Sequence, residues 1–360
     1  MSPTTRRIRR LFRFFVSAGL TFVDCGWSPA RLNAQVQVQG APVNASFASS
    51  GQQVDTERAV ASGRVPVTPL PLTPAQGGDG VVGLIINPTF NANVDAATQT
   101  VINNAIAFYR NTFTTNITVN IEFHNMNTGL GSSSFVVYSV PYSSYRTALG
   151  TNASSADDAV ALANTPAGAF NPINGSANLD VKSANGRALG LNTPEVLMNS
   201  TGSPCPAFTG AGCIGINVTL ANSIGNLTAV VEHEIDEILS LGSALSGTTT
   251  PANPWAEDLF RWASPGVRSY NANASTTNPC SAPSAFFSID GGVTNLNQFN
   301  NCNNGGDYGD WITHTPSQVQ DAITNFSASP FLTVTSSEVR ALDVTGYSLF
   351  KKGRGQITSN

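Results

Sequence analysis

The sequence predicts a single α+β domain with a mixed sheet, and three observations carry that expectation. A strand–helix–strand succession opens the periodic part of the chain near Val81. One strong helical pattern, NLTAVVEHEIDEILSL, stands near its middle. Gly-, Asn- and Pro-rich sequence with short apolar runs follows over 246–312. A chain of 360 residues, 41% of them hydrophobic, has enough apolar surface to close such a core.

The chain starts with MSPTTRRIRRLFRFFVSAGLTFV, a basic stretch ahead of a short apolar run, followed by Leu32-Asn33-Ala34. That order fits a secretory signal spanning 1–34, cleaved after Ala34, and predicts a secreted or periplasmic protein. The apolar run falls short of the roughly 20 residues of a membrane span, so no stable span is expected after signal removal. Residues 35–80 are rich in Pro, Gly, Gln and Ser and read as an arm or linker. The folded domain is placed at 81–350, with a tail at 351–360.

Within the domain, VVGLIINPTF reads as a strand, bounded by Gly-Asp-Gly and Asn-Pro. The next segment sets Val94, Ala97, Val101, Ala105, Phe108 and Tyr109 near one helical face. ITVNIEFHNM alternates as a strand, and SSSFVVYSVPYSSYRTAL reads as strand then helix. SADDAVALANT is a short helix and GCIGINVTLA a strand. Two more helices are expected at SQVQDAITNF and SSEVRALDVTGY.

Charge narrows the function classes. Asp, Glu, Lys and Arg make up 11% of residues, against roughly 25% in ordinary soluble domains. The net charge of −4 offers no basic field for nucleic acid. Four cysteines remain beyond the signal: Cys205, Cys213, Cys280 and Cys302. With export, disulfides are expected, and two local loops, 205–213 and 280–302, are the simplest of the three pairings.

The chemistry concentrates at 230–245. His233 and Glu237 stand four apart on a helix and can reach one cation, as the two histidines of H-E-x-x-H do. Glu234, about 100° around the helix, is placed as a general base toward a cation-bound water. A carboxylate oxygen binds zinc at nearly the imidazole distance, so glutamate at 237 preserves the geometry while adding negative charge. Four of the 22 acidic residues fall at 232, 234, 236 and 237. The bland alternative is a solvated acidic face opposite an apolar side made by Val231, Ile235, Ile238 and Leu239.

A third ligand is less obvious. Ser243 stands ten residues after His233, where some zinc peptidases have a third histidine, and no methionine follows Met198. Glu257 and Asp258 lie in the range where other zinc peptidases supply a glutamate. His314, Asp307 and Asp310 are further candidates. Asp307 and Asp310 also suit a calcium loop or, preferably, an Asx turn. His124, in mid-strand, reads as a packing residue.

HEIDEILSLGSAL, DLFRW, GGDYGDW and ALDVTGY, in that order, resemble a secreted bacterial family of zincin-like metalloproteases. The resemblance is close over 210–348 and extends to 81–210 in layout only. It implies a zincin-like fold with a central active-site helix and a loop-rich C-terminal part. It implies zinc held by His233 and Glu237, with Asp258 as the acidic residue of D-L-F-R-W, and protein or peptide substrates. The competing expectation is a non-catalytic secreted or surface protein whose acidic cluster is structural or binds calcium. A glycosidase is weaker, since nothing at 232–237 fixes a carboxylate pair across a cleft.

Overall fold

The structure is a computed structural model. It describes residues 36–39, 83–127, 129–198, 208–223, 227–245, 250–271, 285–303, 306–323 and 330–350. The expected signal, tail and most of the arm lie outside these residues.

Strand β1 (Val36–Gln39) falls within the expected arm and runs parallel to β4. After β2 (Ile85–Phe90), helix α1 (Ala96–Thr112) crosses over to β3 (Thr118–Asn125), which lies parallel to β2. A parallel pair needs such a crossover. Asp95 caps α1 by accepting from the Thr98 amide at 2.7 Å. The buried face of α1 is Thr98, Ile102, Ala105, Ile106, Tyr109 and Thr112. It is rotated from the expected stripe: Ala97 is exposed, and Val101 and Phe108 are half-buried.

Strand β4 (Gly131–Pro141) leads into α2 (Tyr142–Asn152) and α3 (Ala156–Ala163). Then come β5 (Asn178–Lys182), α4 (Ser183–Ala188), the hairpin β6 (Val196–Met198) and β7 (Phe208–Gly210), and β8 (Gly212–Ile216). The main sheet has the order β1-β4-β8-β3-β2, with β5 also paired to β4. Strands β2, β3 and β8 are parallel, whereas β4 runs antiparallel to β8 and to β5. Helices and a mixed sheet thus make one α+β architecture, as the sequence predicts.

Short helix α5 (Val218–Ser223) precedes α6 (Leu227–Leu239), the helix that carries the HEIDE motif. Apart from Thr228, every residue of α6 is buried. The alternative of a solvated acidic face therefore does not hold, because sheet, α1 and the C-terminal loops enclose the helix. Gly212 and Gly131 face it without side chains, so Ile238 and Glu234 approach the sheet closely. The Tyr109 hydroxyl of α1 lies 2.8 Å from both the Asp236 carboxyl and the Glu232 carbonyl, with one proton to share between them.

A 3-10 turn at Glu257–Phe260 leads into a small sheet of β9 (Arg261–Ser264), β10 (Val267–Arg268), β11 (Phe286–Phe287) and β12 (Asn297–Gln298), in the order β10-β9-β11-β12. Helix α7 (Ser337–Thr345) forms as expected. The expected helix at SQVQDAITNF does not: residues 317–323 are turns and bridges, with Asp321 bridged to Trp311. Asp321 instead accepts from the amides of His314 and Gln318, fixing a tight loop. Among the described residues, no helix is long and apolar enough to cross a membrane.

Candidate metal centre

Side chains from four parts of the chain meet at α6. His233 and Glu237 project from successive turns, with His233 Nε2 3.6 Å from Glu237 Oε1. The same nitrogen lies 3.7 Å from Asp310 Oδ1. His233 Nδ1 lies 2.9 Å from the Val319 carbonyl, an acceptor only, so this nitrogen carries the proton. Nε2 is thereby turned toward the carboxylates, the arrangement typical of a metal-bound histidine.

Glu237 is fixed twice. Ser133 on β4 donates to its Oε2 at 2.6 Å, and Lys182, from the end of β5, donates to its backbone carbonyl at 2.6 Å. Lys182 also donates to the Leu241 carbonyl, so it caps the C-terminus of α6 with a positive charge. Its ammonium lies 3.9 Å from the Phe135 ring centroid and 4.8 Å from that of Trp255, and burial pulls its pKa down to about 8.

Asp310 reaches the helix because its loop comes unusually close. Gly309 packs on the backbone of Gly242 and Ser243, where a Cβ would collide. Arg261, fully buried, donates to the Tyr308 carbonyl at 2.5 Å and to Asn301 at 2.8 Å, clamping the same loop. Asp307 joins there: one oxygen each of Glu237, Asp307 and Asp310 lie within 4.8 Å of one another. Likewise, one ligand atom each of His233, Glu234 and Glu237 fall within that limit. Gln320 donates to Asp310 Oδ1 at 3.1 Å, and its Nε2 lies 3.2 Å from His233 Nε2.

Asp258 and Glu257 sit elsewhere. Asp258 accepts from Ser243 Oγ at 2.5 Å, the Ala244 amide at 3.1 Å and the Trp255 amide at 2.9 Å. Glu257 accepts from the Gly242 amide. Both carboxylates thus hold the chain that leaves α6, and neither is in the groups that converge on His233 and Glu237. His314 pairs with Asp321 at 2.6 Å.

Burial sets the electrostatics. It raises Asp310 to about 7 and Glu234 well above the carboxylate range, Glu234 also being pushed up by the charge of Glu237. Burial also opposes ionisation of Glu237, but the bond and charge of His233 and the charge of Lys182 outweigh it, leaving its pKa lowered. Burial disfavours the charged form of His233, yet Asp310 and Glu237 raise its pKa well above normal. A field that retains a proton on Nε2 attracts a cation to the same place.

The donor set fits a divalent cation. Ligands about 2.0–2.2 Å from a tetrahedral zinc are separated by roughly 3.3–3.6 Å, against 3.6 and 3.7 Å here. Asp310 Oδ2 and both oxygens of Glu234 are buried without a hydrogen-bond partner.

Sequence reasoning missed Ser133, Lys182 and Gln320. Lys182 left a signal: it is the one lysine outside the C-terminal pair Lys351-Lys352. Ser133 and Gln320 left none. Cys213 and Cys302 are both disulfide-bonded, while Cys205 and Cys280 lie outside the described residues. Comparison of the chain with family models, curated proteins and solved structures gives no match.

Proposed function

We propose that the chain is a metal-dependent hydrolase, a zinc peptidase acting on protein or peptide substrates. His233, Glu237 and Asp310 hold the cation, with Asp307 beside them. The observation that carries this reading is the pair of spacings from His233 Nε2 to Glu237 and Asp310, together with the Nδ1 bond that turns Nε2 toward them. A bound zinc supplies Lewis acidity, lowering the pKa of water and polarising a carbonyl. Glu234, which the charge of a bound cation would favour in its ionised form, would take up a proton given by the attacking water: its carboxyl adjoins the cluster, and neither oxygen has a hydrogen-bond partner. Ser133 and Lys182 orient Glu237, and Val319 orients His233. The exported disposition of the chain belongs to the same proposal, which the disulfide-bonded state of Cys213 and Cys302 supports.

One observation favours a second reading. His233, Glu234 and Glu237 are at most 1% exposed, which suits a closed, structural cation centre as well as an enzyme that opens to its substrate. Two measurements on the purified chain decide between them: bound zinc, and hydrolysis of a denatured protein. His233→Ala is expected to lose the zinc. Glu234→Gln is expected to keep it while hydrolysis drops by roughly 10²–10⁴-fold, the usual contribution of a positioned base. Zinc bound without hydrolysis by the wild type selects the structural reading, and zinc undiminished in both His233→Ala and Glu237→Ala removes the centre altogether.

A further inference from the structure

A second cluster lies on the opposite face of the main sheet. Strand alternation turns Ile121 and Phe123 toward α6, and Glu122 and His124 away from it. On that back face the parallel register sets Glu122 beside Cys213 and His124 beside Gly215 of β8. The antiparallel register with β4 sets Ser134 beside Cys213. His124 Nδ1 lies 3.5 Å from Glu122 Oε2, and its ring lies over Gly215, whose missing side chain leaves room for it. One ligand atom each of Glu122, His124 and Cys213 fall within 4.8 Å of one another.

Glu122, His124 and Ser134 are enclosed but unsatisfied. Glu122 is 3% exposed, and neither of its carboxylate oxygens has a hydrogen-bond partner. His124 Nδ1 and Ser134 Oγ are also buried without one. Four polar atoms buried without a partner in one small region are a cost to a folded protein. A shared cation relieves it. Nitrogen, oxygen and sulfur donors together suit zinc or a similar thiophilic divalent ion. Cys213, however, is engaged in a disulfide, and a disulfide sulfur is a poor ligand beside a thiolate.

We propose that Glu122, His124 and Cys213 form a second site for a thiophilic divalent cation, closed while the Cys213 disulfide stands and completed when it opens. The opening needs a dithiol reductant. Its thiolate attacks the partner sulfur, forming a mixed disulfide and breaking the bond to Cys213, which departs as the thiolate. The second thiol of the reductant, as thiolate, then displaces the partner cysteine. Two electrons pass to the protein, and the reductant leaves as its own disulfide. The Cys213 thiolate meets the cation beside the Glu122 carboxylate and a His124 ring nitrogen.

Cobalt(II) is the probe, because only thiolate ligation gives a sulfur-to-cobalt charge-transfer band, and the α6 centre has no sulfur. The full chain is treated with dithiothreitol, freed of it without air, and titrated with cobalt(II) beside an untreated sample. The band is expected in the reduced chain alone. It is expected to disappear in Cys213→Ser, weaken at least tenfold in apparent affinity in Glu122→Gln and His124→Ala, and persist in Cys302→Ser. A band unchanged in Glu122→Gln and His124→Ala overturns the proposal, as does its absence from the reduced wild type. Loss of folded circular dichroism on reduction overturns it too, since the site then has no scaffold. His233→Ala is expected to leave the band intact, so failure of the α6 centre and failure of this site are read separately.

Discussion

At the scale of single residues, two of the candidate third ligands, Asp258 and Asp310, differ in what already occupies them. Asp258 is filled by three donors from the chain that leaves α6, whereas Asp310 keeps Oδ2 free of any donor and sets Oδ1 3.7 Å from His233 Nε2. Asp310→Asn is therefore expected to weaken zinc binding by at least about tenfold, since even a supporting residue of a metal site is commonly worth 10–100-fold. Asp258→Asn is expected to leave zinc stoichiometry unchanged and to lower stability by about 1–3 kcal/mol through its lost acceptors. Competition against a zinc-chelating dye and urea unfolding measure the two effects. Equal zinc loss in both variants would show that Asp258 acts on the centre after all.

At the scale of elements, the approach of the 307–310 loop to the end of α6 depends on Gly309. A methyl there meets the Gly242 and Ser243 backbone, which cannot rotate aside. Gly309→Ala is expected to destabilise the fold by roughly 1–3 kcal/mol, the usual cost of overpacking. It is also expected to weaken zinc binding, which the same dye competition checks. This dependence explains what the sequence could and could not disclose. Helix α6 and strands β2, β3 and β8 were legible because their periodicity is local. The pairing of His233 with Glu237 was legible because helical spacing alone dictates it. Asp310 was not, since its arrival rests on Gly309, Gly242 and the Arg261 clamp, contacts between distant segments. SQVQDAITNF misled because Asp321 binds backbone amides in a loop more effectively than the segment could bury a helical face. Helix α7 offers a separate test. Burial raises the pKa of Asp343 to about 7 despite a 2.7 Å bond from Ser155, against 3.8 for the ordinary group. The folded state therefore binds the extra proton between these values, so its stability is fully present below about pH 4 and falls as pH rises through 7. Asp343→Asn removes that dependence: thermal melts are expected to show a gain at pH 8, on the order of 1–3 kcal/mol, and little change at pH 4. An equal gain at both values would mean the ionised carboxylate is not what the fold resists.

At the scale of the whole molecule, Glu237, Asp307 and Asp310 come together near the Lys182 ammonium, and Glu234 adjoins Glu237 from the same helix. A weakly charged chain that buries so many carboxyl groups has either to offset their charge or to keep them protonated. The α6 helix is packed by the sheet, by α1 and by the C-terminal loops; Glu237 is on α6 itself, bonded to Ser133 of the sheet, and Asp310 is in one of the C-terminal loops. A cation shared between them, as proposed, would tie the loop-rich half to α6 as well as offset the charge of the cluster. Binding to the folded chain alone adds about 2.7 kcal/mol when the free metal is a hundred times its dissociation constant. For a domain of this size each kcal/mol moves the midpoint by roughly 2–4 °C. Chelation of the zinc-loaded chain is thus expected to lower Tm by roughly 5–10 °C, and zinc in excess of the chelator to restore it. His233→Ala should melt at the same temperature with chelator or with zinc. Glu234→Gln should keep the full zinc-dependent shift, because the proposed role of Glu234 is as the base and not as a ligand. A calorimetric scan showing the wild type equally stable with and without chelator would mean that no cation bridges α6 and the 307–310 loop, and the buried carboxylates would then have to be held as their protonated forms.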